Sequence, residues 1–357
     1  MSIEKIGFND WFREQAGKQS IDAGSLARVS AEFKERYFVH TGNQEIRAEI
    51  SGRFSKSVEV PGDYPAVGDW VAVTYYDKNT FAVINKLLPR KNVLRRRKPG
   101  KKLEYQTLAA NIDTAFIVQG VDNDFNLNRL ERYLIMFLNE GIEPAVILNK
   151  IDLVNQGQLA EKITAISNLW PYPVWPLSSL AGDGVNEFSG ALEPGKTYCL
   201  MGSSGVGKSS LLNRLSGDKL NLAVNEVRKD GRGKHTTTER QLFVMKNGSI
   251  FIDNPGLREI GIIETGQGMQ NAFHDITRIS DKCKFRDCTH TSEPGCAVIK
   301  SFEDGAIGQK HLDNYYKLRK EADYYSQSYA EKRKKDKKFG VYLKKSLNEL
   351  YKHKGKY

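Results

Sequence analysis

Hydrophobic and polar positions alternate in short runs over the first part of the chain. Residues 1–25 are polar and carry no periodic pattern, so we expect a flexible N-terminal segment there. Five runs rich in β-branched and aromatic residues follow, separated by turns that contain Gly, Pro, Asn or Asp. They span 27–32, 37–40, 46–50, 70–75 and 81–88. Such strands predict a small all-β Greek-key barrel over residues 26–102, either an OB-fold that binds nucleic acid or an SH3-like barrel.

The hydrophobic period changes in the region 103–265, where strand-like and helix-like patterns alternate. Strands are predicted at 112–121, 144–148, 173–177 and 197–201, helices at 126–140, 159–170 and 209–215, and a hairpin at 241–253 with a tight Asn-Gly turn. This alternation predicts a doubly wound, mostly parallel α/β sheet with ligand loops at the strand carboxyl ends. Helical patterns at 270–279 and 310–329 predict a mainly α domain over 266–330.

The composition is that of a soluble globular protein with two or three domains. The chain has 357 residues, of which 39% are hydrophobic and 27% are charged. No apolar run approaches the length of a membrane span, and the N-terminus has no hydrophobic signal core. Four cysteines fit a reducing compartment. We therefore expect a cytoplasmic protein without a membrane partner, and we expect a monomer.

Positive charge is concentrated in two stretches. The formal net charge is +11, and residues 90–102 contain eight Lys or Arg and no acid. Residues 331–357, the basic C-terminal tail, contain eleven Lys or Arg and three acids. Clusters of this kind indicate a polyanionic partner such as nucleic acid or a ribonucleoprotein. The alternative for either stretch is an ordinary solvated surface or a disordered basic tail.

One stretch matches the phosphate-binding pattern G-x-x-x-x-G-K-[ST] in full. It consists of Gly202, Ser203, Ser204, Gly205, Val206, Gly207, Lys208, Ser209 and Ser210. A predicted strand precedes it and a predicted helix follows, so free backbone N–H groups at the helix start can bind phosphate. Lys208 is expected on the β- and γ-phosphates, and Ser209 is expected on Mg²⁺.

A second motif indicates that the base is guanine. Asn149, Lys150, Ile151 and Asp152 follow a predicted strand and match N-K-x-D. A carboxylate can accept the ring N–H and the exocyclic amine of guanine together, whereas adenine has no matching donor pair. Ser178 and Ser179 follow the next strand and can supply backbone N–H groups to the guanine O6. GTP and GDP are therefore the predicted ligands.

Two further loops are expected at the γ-phosphate. Asp253 and Gly256 match D-x-x-G, in which the carboxylate holds Mg²⁺ through water and the glycine N–H binds the γ-phosphate. The basic, hydroxyl-rich loop 231–238 lies between this motif and the phosphate loop, and it includes His235 and Thr237. It is suited to ordering on Mg²⁺ and γ-phosphate. In Ras-like GTPases the phosphate loop precedes N-K-x-D, so this domain is circularly permuted.

Three of the four cysteines indicate a metal site. Cys283, Cys288, His290 and Cys296 have the spacing C-x4-C-x-H-x5-C. Three thiolates and an imidazole make a closed tetrahedral set for one structural Zn²⁺, because no position remains for water. The alternative is three free thiols beside a chance histidine. Cys199, inside a predicted strand, is expected to be a small buried hydrophobe.

These motifs resemble those of the RsgA family of small-ribosomal-subunit-dependent GTPases. The resemblance also rests on 64–70 (YPAVGDW), 124–134 (DFNLNRLERYL) and 288–296 (CTHTSEPGC), and it covers most of the chain. It implies an N-terminal OB-fold, a permuted GTPase domain and a C-terminal zinc domain. It also implies that the small ribosomal subunit and its rRNA are the partners, and that the subunit stimulates GTP hydrolysis during late maturation. The chain departs from the family at Asn254, where threonine is usual, and at Lys234, where arginine is usual.

Two candidates exist for the group that orients the attacking water. Leu257 stands where Ras-like enzymes have a water-orienting glutamine, so slow intrinsic hydrolysis is expected. His235 is the nearest candidate catalytic residue, and a group of the ribosome is the alternative. A second hypothesis is an RNA-binding assembly factor for which GTP is mainly a conformational ligand. An ATP-using enzyme is disfavoured by Asp152.

Overall fold

The computed structural model describes residues 2–33, 36–97, 105–217, 220, 240–253 and 267–326. No helix in these ranges is both long enough and apolar enough to cross a membrane. The predicted boundaries of the domains remain predictions.

Five strands close into a barrel at the N-terminal end. They are β1 (Leu26–Phe33), β2 (Arg36–His40), β3 (Glu45–Ile50), β4 (Trp70–Tyr76) and β5 (Phe81–Leu87), with helix α2 (Gly52–Ser57) between β3 and β4. The neighbours run β1-β2-β3-β5-β4 and back to β1. All pairs are antiparallel except β3–β5, which is parallel. This closed Greek-key order is that of an OB-fold, so the five predicted strands and the first of the two barrel types are confirmed.

The N-terminal segment is folded onto the barrel. A 3-10 turn at Ile3–Ile6 is followed by helix α1 (Asp10–Lys18), and the Asn9 side chain caps that helix by accepting a hydrogen bond from the Phe12 N–H. The buried side chains of this segment pack with the barrel residue Trp70; they are Ile6, Phe8, Phe12 and Ala16. The expectation that residues 1–25 lack structure is therefore wrong, because four apolar side chains cover one end of the barrel.

A separate hairpin connects the barrel to the next domain. Its strands are β6 (Val93–Arg97) and β7 (Tyr105–Ala110), and it includes part of the basic run at 90–102. Arg90 lies just before it and binds Asp69, a fully buried carboxylate, through two hydrogen bonds of 2.8 and 2.7 Å. The sequence predicts a polyanionic partner or an ordinary solvated surface for this run, whereas Arg90 forms an ion pair inside the protein.

The central domain is built on a mostly parallel sheet. Its strands are β8 (Thr114–Gly120), β9 (Glu143–Asn149), β10 (Val174–Pro176), β11 (Thr197–Met201), β12 (Arg240–Val244) and β13 (Ile250–Asp253). Its helices are α3 (Leu127–Asn139), α4 (Gln156–Ser167), α5 (Val185–Ala191) and α6 (Lys208–Ser216). The strand order is β10-β9-β8-β11-β13-β12, and only β12 is antiparallel to its neighbour in this set. Apolar cores lie on both faces, as expected for a doubly wound sheet.

The barrel and the central domain share one continuous sheet. Strand β12 pairs with β13 on one side and with β1 on the other, which joins eleven strands. Arg28 of β1 is buried at this junction, where burial lowers its pKa to about 10. Its guanidinium donates to the carbonyl of Ile6 at 2.7 Å and to Thr197 Oγ1 at 2.9 Å. One cation thus links the N-terminal segment, the barrel and β11.

The described part of the C-terminal region contains four helices. They are α7 (Gln267–Ala272), α8 (His274–Ser280), α9 (Ala297–Glu303) and α10 (Gln309–Ser326). The predicted helix at 270–279 is thus divided into two short helices, and α10 confirms the helix predicted at 310–329 over its described residues. This region packs on α3 through α7 and α10, and its buried core includes Phe273, Ile276 and Leu318.

Candidate functional site

The candidate nucleotide site lies at one edge of the central sheet. Strands β8, β9, β10, β11 and β13 are parallel, so their carboxyl ends meet at this edge. From β8 the chain proceeds outward to β9 and β10, and from β11 it proceeds in the opposite direction to β13. The crevice between β8 and β11 is therefore the switch point at which open α/β sheets bind ligands.

The phosphate loop connects β11 to α6 at this switch point. Three of its residues have positive φ angles, namely Gly202 at 158°, Gly205 at 81° and Gly207 at 98°. A Cβ atom on Gly202 would lie 2.2 Å from the carbonyl oxygen of Val118 in β8, so a side chain there would displace the loop. The loop can approach β8 closely because Gly202 has no side chain.

Lys208, the first residue of α6, folds back over the loop. Its ammonium donates to the carbonyl oxygens of Gly202 at 2.8 Å and Ser203 at 2.7 Å. The cation thus lies across the mouth of the loop, beside the N–H groups at the start of α6. This arrangement of one cation and a helix N-terminus fits a polyphosphate.

Asp253 ends β13, beside β11, and is half-buried. Burial raises the pKa of its carboxyl above the ordinary value, and the nearby ammonium of Lys208 opposes that shift only in part. Burial makes ionisation of a carboxyl unfavourable, and a nearby cation stabilises the ionised form. Asp253 therefore fits the predicted role in holding Mg²⁺, which prefers oxygen ligands.

Asn149 of the N-K-x-D motif connects three loops. Its side chain is fully buried; Nδ2 donates to the Val206 carbonyl at 2.6 Å and to Ser179 Oγ at 2.9 Å. Its Oδ1 accepts the Ser179 N–H at 2.8 Å. A Cβ on Gly207 would lie 2.1 Å from Asn149 Nδ2. Asn149 therefore connects the phosphate loop with the loop that carries Ser178 and Ser179. The N-K-x-D motif alone does not predict this role.

Lys150 and Asp152 are also held by neighbouring loops. Lys150 has a left-handed backbone, and its ammonium forms a 2.9 Å ion pair with Asp122, which follows β8. Burial disfavours ionisation of Asp122, but the hydrogen bond and charge of Lys150 and the hydrogen bond from the Asp124 N–H together outweigh it and lower the pKa of this carboxyl. Asp152 accepts a hydrogen bond from the hydroxyl of Ser178. Asp122 is a site residue that the sequence analysis missed, because no local pattern connects it with Lys150.

The described residues bring together most of the predicted nucleotide site. The phosphate loop, N-K-x-D with Ile151, Ser178, Ser179 and Asp253 all lie at the same sheet edge. His235, Thr237, Gly256 and Leu257 lie outside the described residues, as does Lys234. The roles predicted for those residues therefore stay predictions.

The four metal ligands predicted in the C-terminal region do converge. The ligand atoms of Cys283, Cys288, His290 and Cys296 all lie within 4.8 Å of one another. Sγ of Cys283 and Sγ of Cys296 are 3.9 Å apart, and His290 Nδ1 lies 3.6 and 3.5 Å from them. A tetrahedral zinc site, with Zn–S of about 2.3 Å and Zn–N of about 2.05 Å, requires separations of about 3.8 and 3.6 Å. Cys283, Cys296 and His290 therefore have the separations that zinc requires, and Cys288 lies close enough to be the fourth ligand.

Backbone groups support this cluster. The Sγ of Cys296 accepts the Ile299 N–H at 3.5 Å at the start of α9, and the Sγ of Cys283 accepts the Ala297 N–H at 3.4 Å. Hydrogen bonds of this kind favour thiolates, the form in which cysteine binds metal. The hydroxyl of Tyr316 in α10 donates to the His290 carbonyl. The cluster thereby connects α9 and α10.

A partly buried ionic group joins the C-terminal region to α3. His311 of α10 binds Glu131 of α3 at 2.7 Å through Nδ1 and Asp275 of α8 at 3.2 Å through Nε2. Burial alone would lower the pKa of His311, but the hydrogen bonds to Asp275 and Glu131 outweigh it and raise the pKa to about 9. Arg132 of α3 also forms a two-point ion pair with Glu321, at 2.7 and 2.8 Å. Helix α3 therefore connects the nucleotide domain with the metal cluster.

Known proteins resemble this chain along most of its length. A family model described as RsgA GTPase matches residues 87–263. "Small ribosomal subunit biogenesis GTPase RsgA" of Methanosarcina acetivorans is 39% identical over 300 residues, which cover 84% of this chain and 80% of the relative. "Small ribosomal subunit biogenesis GTPase RsgA 1" of Listeria innocua is 40% identical over 329 residues, covering 91% of each.

Solved structures extend the resemblance to the fold. The crystal structure of YjeQ from Thermotoga maritima matches with a TM-score of 0.60 and 27% identity, covering 82% of this chain and 96% of that chain. The structure of "YloQ, a circularly permuted GTPase" matches with a TM-score of 0.60 and 26% identity, covering 84% and 94%. Each match therefore covers more than four fifths of this chain and nearly all of the solved structure.

Proposed function

The chain belongs to the RsgA GTPase family, and on that premise we propose that it hydrolyses GTP on the small ribosomal subunit during late maturation of that subunit. It is a GTP-hydrolysing enzyme with a circularly permuted nucleotide domain. The partner follows from the names of its relatives, which are small-ribosomal-subunit biogenesis GTPases. In the proposed cycle the GTP form binds the subunit, and hydrolysis to GDP and phosphate releases the protein.

One observation carries the nucleotide part of the proposal. Asn149 joins the loop that follows β10 to the phosphate loop through hydrogen bonds of 2.6 to 2.9 Å. The groups proposed to bind the base and the groups proposed to bind the phosphates are thus fixed relative to each other before a ligand arrives. Such preorganisation favours one ligand that contains both parts.

Guanine selectivity is assigned to Asp152 and the loop that carries Ser178 and Ser179. The Asp152 carboxylate has two oxygens, and the Ser178 hydroxyl binds one of them. This bond orients the carboxylate toward the pair of donors that only guanine presents. The proposed base site therefore supports GTP over ATP.

Hydrolysis requires groups at the γ-phosphate. We assign Lys208 to the β- and γ-phosphates and Ser209 and Asp253 to Mg²⁺, which when bound neutralises charge on the phosphate oxygens. Thr237 and the Gly256 N–H complete this set in our proposal. His235 is proposed to orient the attacking water once the subunit orders its loop, and a ribosomal group is the alternative.

Binding to the small subunit is assigned to the barrel, part of the basic run at 90–102 and the tail at 331–357. Arg90 and Arg95 are excluded from this surface as primary contacts, because they bind Asp69 and Glu140 within the chain. The remaining cations of the run and the tail fit a partner rich in phosphate, and rRNA is the proposed contact.

A structural Zn²⁺ completes the proposal. The four ligands fit zinc in number, type and spacing, and no ligand position is left for a substrate. The metal would hold the start of α9 against α10, and α10 contacts α3 of the nucleotide domain through His311. We also expect the protein to be a cytoplasmic monomer.

The experiment is cosedimentation with purified small and large subunits in GDP and in a non-hydrolysable GTP analogue. The proposal predicts that the analogue form binds small subunits and that GDP releases it. Salt should weaken the complex steeply, and deleting 331–357 should lower the affinity and make its salt dependence shallower. Equal binding in the two nucleotides would favour the second hypothesis, an RNA-binding assembly factor with incidental turnover. Membership of the RsgA GTPase family does not favour that hypothesis. Preference for the large subunit would contradict the proposed partner.

A further inference from the structure

A cavity of about 630 Å³ opens beside the barrel, and none of its lining residues belongs to the nucleotide site. Its walls come from β1, β2 and β3, from α2, from the segment that precedes β4, and from β7. The volume is in the range of pockets that bind small molecules or single residues of a polymer. The cavity is therefore separate from the proposed nucleotide site.

Three tyrosines line this cavity. Tyr37 is buried, whereas Tyr64 and Tyr105 are half-buried. The hydroxyl of Thr107, in β7, donates to the Gly62 carbonyl at 3.1 Å, so the hairpin is held to the segment that carries Tyr64. The walls therefore come from connected elements, and aromatic side chains on such walls are the usual platforms for unstacked nucleic-acid bases.

Two glutamates supply hydrogen-bond acceptors. Glu32 is paired with Arg240 at 3.1 Å, so its charge is largely compensated within the protein. Glu49 lies 3.7 Å from Arg47, and both of these side chains are about half exposed, at 55% and 48%. A long ion pair in solvent is weak. Glu49 is therefore the acceptor that remains able to bind a ligand.

Arginines surround these acceptors. Besides Arg47 and Arg240, the guanidinium of Arg96 donates to the side chain of the lining residue Gln106 at 3.0 Å. The three arginines outnumber the two glutamates, so a lysine or arginine side chain from a partner protein would meet net positive charge. A neutral aromatic ring that carries N–H donors and is linked to phosphates matches these charges better than a lysine or arginine side chain does.

We propose that the cavity binds an unpaired guanine of single-stranded RNA. The base would lie against the tyrosine rings, and its N1–H and exocyclic amine would donate to Glu49. Its flanking phosphates would meet Arg47 and Arg96. Guanine is preferred because adenine has no pair of adjacent donors on its Watson–Crick edge. The proposal goes beyond the GTPase function and does not depend on the ribosomal partner.

The test measures binding of fluorescein-labelled UUGUU and UUAUU to the full-length chain by anisotropy, with the GTP site saturated by GDP. We expect UUGUU to bind about tenfold more tightly, the scale of hydrogen bonds to a charged acceptor. Glu49→Gln should reduce this preference to within about twofold. Glu45→Gln is the matched control, because Glu45 is exposed on the same face of β3 but does not line the cavity, and it should keep the preference.

Tyr64→Phe and Tyr64→Ala test the stacking surface in the same assay. Phe should preserve the affinity and Ala should weaken it by about tenfold, the lower end for loss of one stacking ring. Equal affinity of wild type for the two oligonucleotides would overturn the proposal. So would equal effects of Glu49→Gln and Glu45→Gln, or an unchanged affinity in Tyr64→Ala. Glu49-dependent binding of a hexa-arginine peptide without binding of RNA would assign the cavity to a cationic partner instead.

Discussion

Removal of the Asn149 side chain should damage both the fold and the nucleotide site. Asn149→Ala leaves the Ser179 N–H and the Val206 carbonyl without the partners they have in the native chain. Both groups are in a buried environment, since Ser179 is 6% exposed and Val206 is 1% exposed. An unsatisfied buried polar group costs about 1–3 kcal/mol, so the two together should cost about 2–6 kcal/mol. Water that enters the vacated space would bring the value toward the lower end.

The assay combines urea denaturation with titration of a fluorescent GDP analogue. We expect the free energy of unfolding to fall by at least about 2 kcal/mol and the affinity for GDP to fall by at least about tenfold. Asn85→Ala is the matched control, because Asn85 is exposed in the barrel and bonds to Thr74 Oγ1 at 2.8 Å. The control should leave GDP affinity unchanged.

A double-mutant cycle with Gly207 isolates the contact itself. Gly207→Ala would direct a methyl group to 2.1 Å from Asn149 Nδ2, and it would also strain a backbone with φ of 98°. Asn149→Ala removes the first of these costs but not the second. The double variant should therefore lose less free energy of unfolding than the two single variants lose together, by about 1 kcal/mol or more. Strict additivity would refute the packing of Asn149 on the phosphate loop.

Four further perturbations test separate parts of the site. Asp152→Asn should weaken GTP binding by about tenfold or more and favour xanthosine nucleotides, measured by competition titration. Metal analysis should find about one zinc per chain, and Cys288→Ser should lose it and unfold the C-terminal helices, as hydrogen exchange would report. His311 has a raised pKa of about 9, so its ionic contacts should stabilise the fold fully below about pH 6.5 and be lost as pH rises toward 9. Its contribution, about 3 kcal/mol at most, should disappear in His311→Gln. His235→Ala should leave GTP affinity within a few-fold and lower subunit-stimulated turnover by about 10²-fold.

The perturbations of Asp152, Cys288 and His311 each have a matched control. Asp183→Asn changes an exposed carboxyl close to Ser178 and should leave base selectivity intact. Cys199→Ala changes a cysteine that is buried in β11, far from the cluster in sequence, and should retain zinc. His274→Gln, an exposed position, should keep the pH dependence that His311→Gln removes. The assignment of Asp152 would be contradicted if Asp152→Asn kept wild-type GTP affinity and gained no preference for xanthosine nucleotides. A folded chain without metal would contradict the zinc site. An unchanged pH profile in His311→Gln, or full stimulation of His235→Ala, would contradict the role given to that histidine.

Local patterns were sufficient to predict most of the secondary structure. The phosphate loop could be predicted because its glycines and Lys208 form one contiguous motif. The barrel strands could be predicted from the alternation of apolar and polar side chains. The N-terminal helix was missed because only Phe12 and Ala16 of α1 are buried, and their partner Trp70 is distant in sequence. Two buried positions are too few to show a helical pattern in the sequence, and they are buried only because α1 packs on the folded barrel.

Long-range contacts could not be predicted from the motifs. Asn149 and Gly207 interact across two separate loops, and Arg28 contacts Thr197 from another domain. The pairing of β1 with β12 likewise joins strands whose order along the chain gives no indication of it. These contacts depend on the topology, and the topology is visible only in the folded chain.

The central claim, a GTPase that works on the small ribosomal subunit, is tested most directly by the turnover of GTP with each purified subunit. Phosphate release is measured for the protein alone, with small subunits and with large subunits, and Lys208→Ala serves as the control for contaminating enzymes. The account predicts slow turnover by the protein alone, strong stimulation by small subunits, little effect of large subunits and no activity in Lys208→Ala. Turnover that is the same with and without small subunits would contradict it.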